Sequence, residues 1–127
     1  MSKRILVIDD DETIRKIYMQ ALKDTPYQLD IADSGESGVG LQREFKYDLI
    51  FLDLNMRGMN GIEVLREIRK IDEDVPIYIV TAFYKEFLKE VGSAIEDGLK
   101  FEITHKPITP EQIVSIVMDN IESSKTN

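Results

Sequence analysis

Cysteine is absent from the 127 residues, so no disulfide framework can hold this fold, a composition that suits a reducing cytoplasm. Histidine occurs once, at His105, which leaves little material for a zinc site. Positive charge is scarce too: 16 Lys and Arg face 24 Asp and Glu, for a net charge of -8 and a pI near 4.7. That balance argues against a nucleic-acid backbone as the main partner, which needs clustered cations. No apolar run approaches the ~20 residues of a membrane span, and Met1-Ser2-Lys3-Arg4 followed by a short apolar run and acids is no signal peptide. Internal repeats and domain linkers are also missing. What remains, 43% hydrophobic and 31% charged residues, is ordinary globular composition at a length that suits one domain with a proper core. That domain is expected over residues 1–122, followed by a polar, frayed tail from Ser123 to Asn127.

Strands and helices alternate along the chain. Ile5 to Ile8 is a continuous apolar run, the pattern of a parallel strand covered on both faces, and Asp48 to Leu52 repeats it. Tyr27 to Ala32 alternates like an edge strand. Ile77 to Val80, opened by Pro76, and Phe101 to His105 supply the fourth and fifth strands. Helical stripes fall between them. Ile14, Ile17, Tyr18, Ala21 and Leu22 mark the first and Val39, Leu41 and Phe45 the second. Ile62, Leu65, Ile68 and Ile71 mark the third, Phe87, Leu88, Val91, Ala94 and Ile95 the fourth, and Ile113, Ile116, Val117 and Ile121 the fifth. Asn60 with Glu63, and Thr109 with Gln112, have capping-box spacing, and Gly98 suits a carboxyl cap. The second helix carries Gly35, Gly38 and Gly40, each costing up to ~1 kcal/mol against alanine. This alternation implies a flavodoxin-like, doubly wound α/β fold: a five-stranded parallel sheet of order 2-1-3-4-5 with five helices.

Every buried run but the edge strand stops on polar groups. Ile5 to Ile8 runs into Asp9-Asp10-Asp11-Glu12, Leu49 to Leu52 into Asp53-Leu54-Asn55, Ile77 to Val80 into Thr81, and Phe101 to His105 into Lys106-Pro107. In open α/β sheets the ligand crevice lies beyond the carboxyl ends of the strands, and the order above places the ends of strands one and three side by side. Asp9, Asp10 and Asp53 then meet, and three repelling carboxylates call for a proton or a divalent cation. An all-oxygen donor set favours a hard ion such as Mg2+, with Asp10, Asp53 and a carbonyl at Asn55 as ligands and other positions left to water and a phosphoryl oxygen. Lys106 offers a point charge and Thr81 a hydroxyl suited to phosphoryl oxygens, and Asp53 is the candidate nucleophile. Asp11 and Glu12 are explained by the dipole of the first helix, and His105 by a structural or exposed role.

Taken together, Ile8-Asp9-Asp10, Leu52-Asp53-Leu54-Asn55-Met56, Met59-Asn60-Gly61, Thr81-Ala82 and Lys106-Pro107 resemble the receiver domains of two-component response regulators, including single-domain chemotaxis-type regulators, over nearly the whole chain. The resemblance implies that Asp53 is the phosphoacceptor, that Asp9 and Asp10 hold magnesium with the Asn55 carbonyl, and that Thr81 and Lys106 contact the phosphate. It implies a sensor histidine kinase or histidine phosphotransfer protein as donor, an output protein bound near the fourth helix, fifth strand and fifth helix, and no enzyme activity beyond the domain's own phosphorylation and dephosphorylation. It also implies a cytoplasmic monomer, able to dimerise on phosphorylation, that touches neither nucleic acid nor membrane directly and passes its signal to a protein or along a relay. Two positions depart from the family pattern: Arg57 stands where a proline is usual, and Ile103 where the switch aromatic is. Phe83, two residues after Thr81, is expected to cover the crevice and slow hydrolysis. Two other classes compete, a pseudo-receiver used as a binding module and a phosphatase of the haloacid dehalogenase type. The complete set of acids, Thr and Lys counts against the first, and Asn55, where the second needs an acid, against the other.

Overall fold

The computed structural model describes residues 2–82 and 84–122. Five strands, β1 (Arg4–Ile8), β2 (Gln28–Ala32), β3 (Leu49–Asp53), β4 (Ile77–Thr81) and β5 (Glu102–His105), pair in parallel in the order β2-β1-β3-β4-β5. Between and after them run α1 (Glu12–Leu22), α2 (Gly35–Glu44), α3 (Gly61–Ile71), α4 (Leu88–Glu96) and α5 (Pro110–Val117). The fold is the flavodoxin-like one that the alternation implies. β3 is buried along its whole length, and β1 from its second residue on, as strands sandwiched between two helical layers must be.

Each face of the sheet has its own core. On one, Leu6, Ile8, Ile50 and Leu52 meet Val39 of α2, Val64, Leu65 and Ile68 of α3, and Val91 and Ala94 of α4. On the other, Ile5, Val7, Leu49 and Phe51 meet Tyr18 and Leu22 of α1 and Ile113 and Val117 of α5. The helix starts are fixed by side chains that satisfy orphan N–H groups. Asp11 accepts from Thr13 and Ile14, and capping boxes form at Asn60–Glu63 and Thr109–Gln112. Asp11 is thus the cap of α1 rather than a first-turn acid.

Two of the glycines in α2 have a packing reason. A Cβ on Gly35 would lie 2.6 Å from Val64 Cγ2, and one on Gly38 2.4 Å from Ile8 Cδ1, so the helix sits closer to α3 and β1 than alanine allows. Four stripe residues are not core. Phe45 follows the end of α2 and is 38% exposed, with the Arg4 guanidinium 4.2 Å above its ring. Ile71, Leu88 and Ile95 are 42%, 51% and 61% exposed, because α3 and α4 bury a narrower stripe than their apolar content suggests. Strand edges move by one residue: β3 ends on Asp53 itself, and β5 begins at Glu102, leaving Phe101 in the connection. Tyr84–Phe87 forms a 3-10 turn, so Phe87 caps α4 instead of entering it, and a π turn, Met118–Glu122, extends α5. The tail from Ser123 to Asn127 lies outside the described residues.

Candidate functional site: an acidic crevice at the strand ends

Pairing of Ile8 with Leu52 across β1 and β3 brings the next residues, Asp9 just past β1 and Asp53 at the last position of β3, side by side at the edge of the sheet. Both are nearly sealed from solvent, at 3% and 6% exposure, whereas Asp10 is only half-buried. Carboxylate oxygens of the three residues lie within 4.8 Å of one another. Lys106, just past β5, reaches over the end of β4 and puts Nζ 3.0 Å from Asp53 Oδ1 and 3.2 Å from Asp9 Oδ2. Its main-chain N–H donates to the Thr81 carbonyl at 2.9 Å, and the Lys106–Pro107 peptide is cis. Thr81 is fully buried at the end of β4.

The loop after β3 is held close by Gly61. Its N–H donates to the Leu54 carbonyl at 2.8 Å, and a Cβ there would stand 2.5 Å from the Asp53 carbonyl oxygen. Any larger residue would push the start of α3 away from the strand end that carries Asp53. Asn55 lies exposed in this loop. The Arg57 N–H donates to Asp10 Oδ2 at 3.1 Å, and the Asp11 N–H to Asp9 Oδ1 at 2.9 Å.

Burial, and next to it the charge of Asp9, pushes the Asp53 carboxyl up to about 6 against the pull of Lys106. Asp9 is also raised, chiefly by burial, which outweighs the Asp11 N–H and Lys106. Burial works to lower the Lys106 ammonium, but its bonds to Asp53 and Asp9 outweigh that and raise it. In the sealed part of the crevice two carboxylates, Asp9 and Asp53, face the single ammonium of Lys106, an excess of negative charge. An all-oxygen cluster of this size, partly open through Asp10, fits a hard divalent cation.

The residues singled out from sequence fall into three groups. Asp9, Asp10, Asp53 and Lys106 converge. Thr81 stands at the adjoining strand end, joined to Lys106 through the main chain, and Asn55 is on the rim. Phe83 lies outside the described residues. Sequence reasoning missed Arg15, whose Nη1 donates to the Asp9 carbonyl at 2.9 Å, and singled out Arg57 without its main-chain contact to Asp10. Arg15 had a signal, since it falls in the first turns of the helix that opens directly after the acids.

The sequence matches the model of the response regulator receiver domain over residues 5–118. The chain belongs to that family. Among similar proteins, the transcriptional regulatory protein ResD of Bacillus subtilis (strain 168) is 38% identical over 111 residues, covering 87% of this chain and 45% of that protein. The DNA-binding response regulator MtrA of Mycolicibacterium smegmatis is 34% identical over 117 residues, covering 92% and 50%. The chain thus spans about half the length of these relatives. In three dimensions it resembles a CheY-like response regulator receiver domain protein from Methanospirillum hungatei JF-1, with a TM-score of 0.86 at 22% identity over 99% of this chain and 98% of that one. The signal receiver domain of a LuxO-type repressor protein from Vibrio parahaemolyticus gives 0.82 at 25% identity, over 99% and 95%. The receiver architecture is therefore shared along nearly the full chain. Among the described residues, no helix is long and apolar enough to cross a membrane.

Proposed function

We propose that this receiver domain accepts a phosphoryl group on Asp53 from the phosphohistidine of a sensor histidine kinase or histidine phosphotransfer protein. The observation that carries this reading is a sealed carboxylate at the end of β3, gathered with Asp9 and Asp10 and held 3.0 Å from the Lys106 ammonium. A carboxyl at about 6 is largely ionised at neutral pH, so Asp53 is available as a nucleophile without a general base. One of its oxygens attacks phosphorus, the acyl phosphate bond forms as the P–N bond breaks, and the departing imidazole nitrogen takes its proton from solvent. Positioning and charge neutralisation carry most of the catalysis in such a transfer. Asp9, Asp10, Asp53 and the Asn55 carbonyl would hold Mg2+, which supplies the positive charge against which phosphoryl oxygens accumulate. Lys106 and Thr81 bind the transferred group, Lys106 by exchanging a carboxylate oxygen for a phosphoryl one.

The output is a protein: a partner that binds the phosphorylated form, a second copy of the domain, or the next member of a relay, all in the cytoplasm. The test is labelling with acetyl phosphate or a purified histidine kinase in the presence of magnesium. Wild type should take up about one phosphoryl group per chain and Asp53→Ala none, with its circular dichroism unchanged. Stable label on Asp53→Ala would overturn the assignment.

A further inference from the structure

Among the contacts around the crevice, those of Arg57 are of an unusual kind. Its main-chain N–H donates to Asp10 Oδ2 at 3.1 Å, while its guanidinium Nε stands 3.8 Å from the same oxygen. The side chain is 94% exposed, so it is anchored at the backbone and free beyond it. The other cations at the site are committed. Lys106 lies between Asp53 and Asp9 with 17% of its side chain exposed, and Arg15 is tied to the Asp9 carbonyl. A phosphodonor is an anion approaching three carboxylates, and repulsion there must be overcome before any bond forms. Among the described residues, Arg57 is a cation at this rim with the freedom to meet it. A proline at this position would supply neither the N–H nor the charge.

We propose that Arg57 is a phosphodonor-positioning residue with two alternating partners. Its N–H fixes the Asp10 carboxylate in both situations. Its guanidinium rests beside Asp10 while no divalent cation is bound, and turns to the phosphoryl oxygens of the incoming donor once a cation holds Asp10. The inference rests on the phosphoacceptor reading of Asp53 and deepens it. Two consequences follow from one charge. The guanidinium competes with magnesium for Asp10, so it weakens metal binding. It also attracts the donor, so it speeds encounter in a salt-dependent way.

The test uses Arg57→Ala, which keeps the N–H and removes only the charge, with Arg57→Lys as the conservative variant. Magnesium affinity is measured on the unphosphorylated protein by titrating amide NMR shifts, and the second-order rate of acetyl phosphate labelling is measured at saturating magnesium from low to high salt. Arg57→Ala should bind magnesium about two- to fivefold tighter, as loss of an exposed ion pair allows. It should be labelled about three- to tenfold more slowly at low salt, with the gap closing as salt rises. Arg57→Lys should restore most of the rate. Either quantity unchanged within twofold in Arg57→Ala, or a rate deficit indifferent to salt, overturns the proposal. If wild type binds magnesium but takes no label from acetyl phosphate or a kinase, the phosphoacceptor reading falls, and this one with it.

Discussion

Replacing Asp53 with asparagine should make the protein more stable at neutral pH, although it removes a salt bridge. Holding this carboxyl at about 6 rather than 3.8 costs the native state about 3 kcal/mol at neutral pH, at roughly 1.4 kcal/mol per pH unit. Burial is the main cause and the neighbouring Asp9 the next, and a neutral amide of the same shape escapes both. That figure already contains the pull of Lys106, and imperfect hydrogen bonding of the amide in the carboxyl's place reduces the net gain to about 1–2 kcal/mol. The pH dependence has a definite sign. Between 3.8 and about 6 the native carboxyl binds more protons than the unfolded one, so wild type loses stability as pH rises through that window. Below it the penalty vanishes, and at pH 4 the variant's advantage should shrink to under about 1 kcal/mol. Urea unfolding followed by circular dichroism at pH 7.5 and pH 4, without magnesium, reads this directly as a midpoint shift of about 0.5–1 M at the higher pH. An Asp53→Asn variant less stable than wild type at pH 7.5, or equally stabilised at both, would refute the claim that desolvation outweighs the lysine.

Other outcomes follow from the same geometry. Lys106→Ala leaves two sealed carboxylates without their ammonium, so it should destabilise by up to about 3 kcal/mol at pH 7 and recover part of this at pH 5, where Asp53 protonates, in urea melts. It should still accept some label while failing to couple it to partner binding, and equal binding by the phosphorylated forms would count against that. Asp10→Ala should weaken magnesium binding at least tenfold by NMR titration, since it removes a charged oxygen ligand. Gly61→Ala drives a Cβ against the Asp53 carbonyl and Leu54 Cα, both main chain, and should cost about 2 kcal/mol or more with slowed labelling. Gly40→Ala in open space should instead gain about 0.5–1 kcal/mol. Labelling by acetyl phosphate at limiting magnesium should fall as pH drops through about 6 and Asp53 protonates; a rate flat from pH 7.5 to 5 would contradict it.

The central strands β1, β3 and β4 announced themselves because a sandwiched parallel strand has little polar face to disguise it, and their runs stop at Asp9, Asp53 and Thr81. Right-handed crossovers in the doubly wound order β2-β1-β3-β4-β5 put helices on both faces, and that order brings Asp9 to Asp53. The apolar stripes of α3 and α4 misled at Ile71, Leu88 and Ile95, since hydrophobic spacing gives the direction of a buried face but not its width. The glycines of α2 looked like helix weakness and are clearances toward Val64 and Ile8, a fact of partner helix and strand that no local pattern contains. Main-chain donors such as the Arg57 N–H were invisible for a similar reason: every residue but proline has one, and only the loop's path decides where it points.

The reach of Lys106 across the end of β4 has a consequence for how the domain responds. Its ammonium holds the side chains of Asp9, just past β1, and Asp53, the last residue of β3, while its own backbone belongs to the connection between β5 and α5. Three strand ends therefore share one tether. Any occupant that takes an oxygen of Asp53 or Asp9 bargains with the position of the residue 106–109 segment. A protein whose affinity for that segment changes with occupancy of the crevice would, by thermodynamic reciprocity, change the affinity of the crevice by the same factor. The tether itself runs through Lys106 and the Thr81 carbonyl, without passing through Ile103.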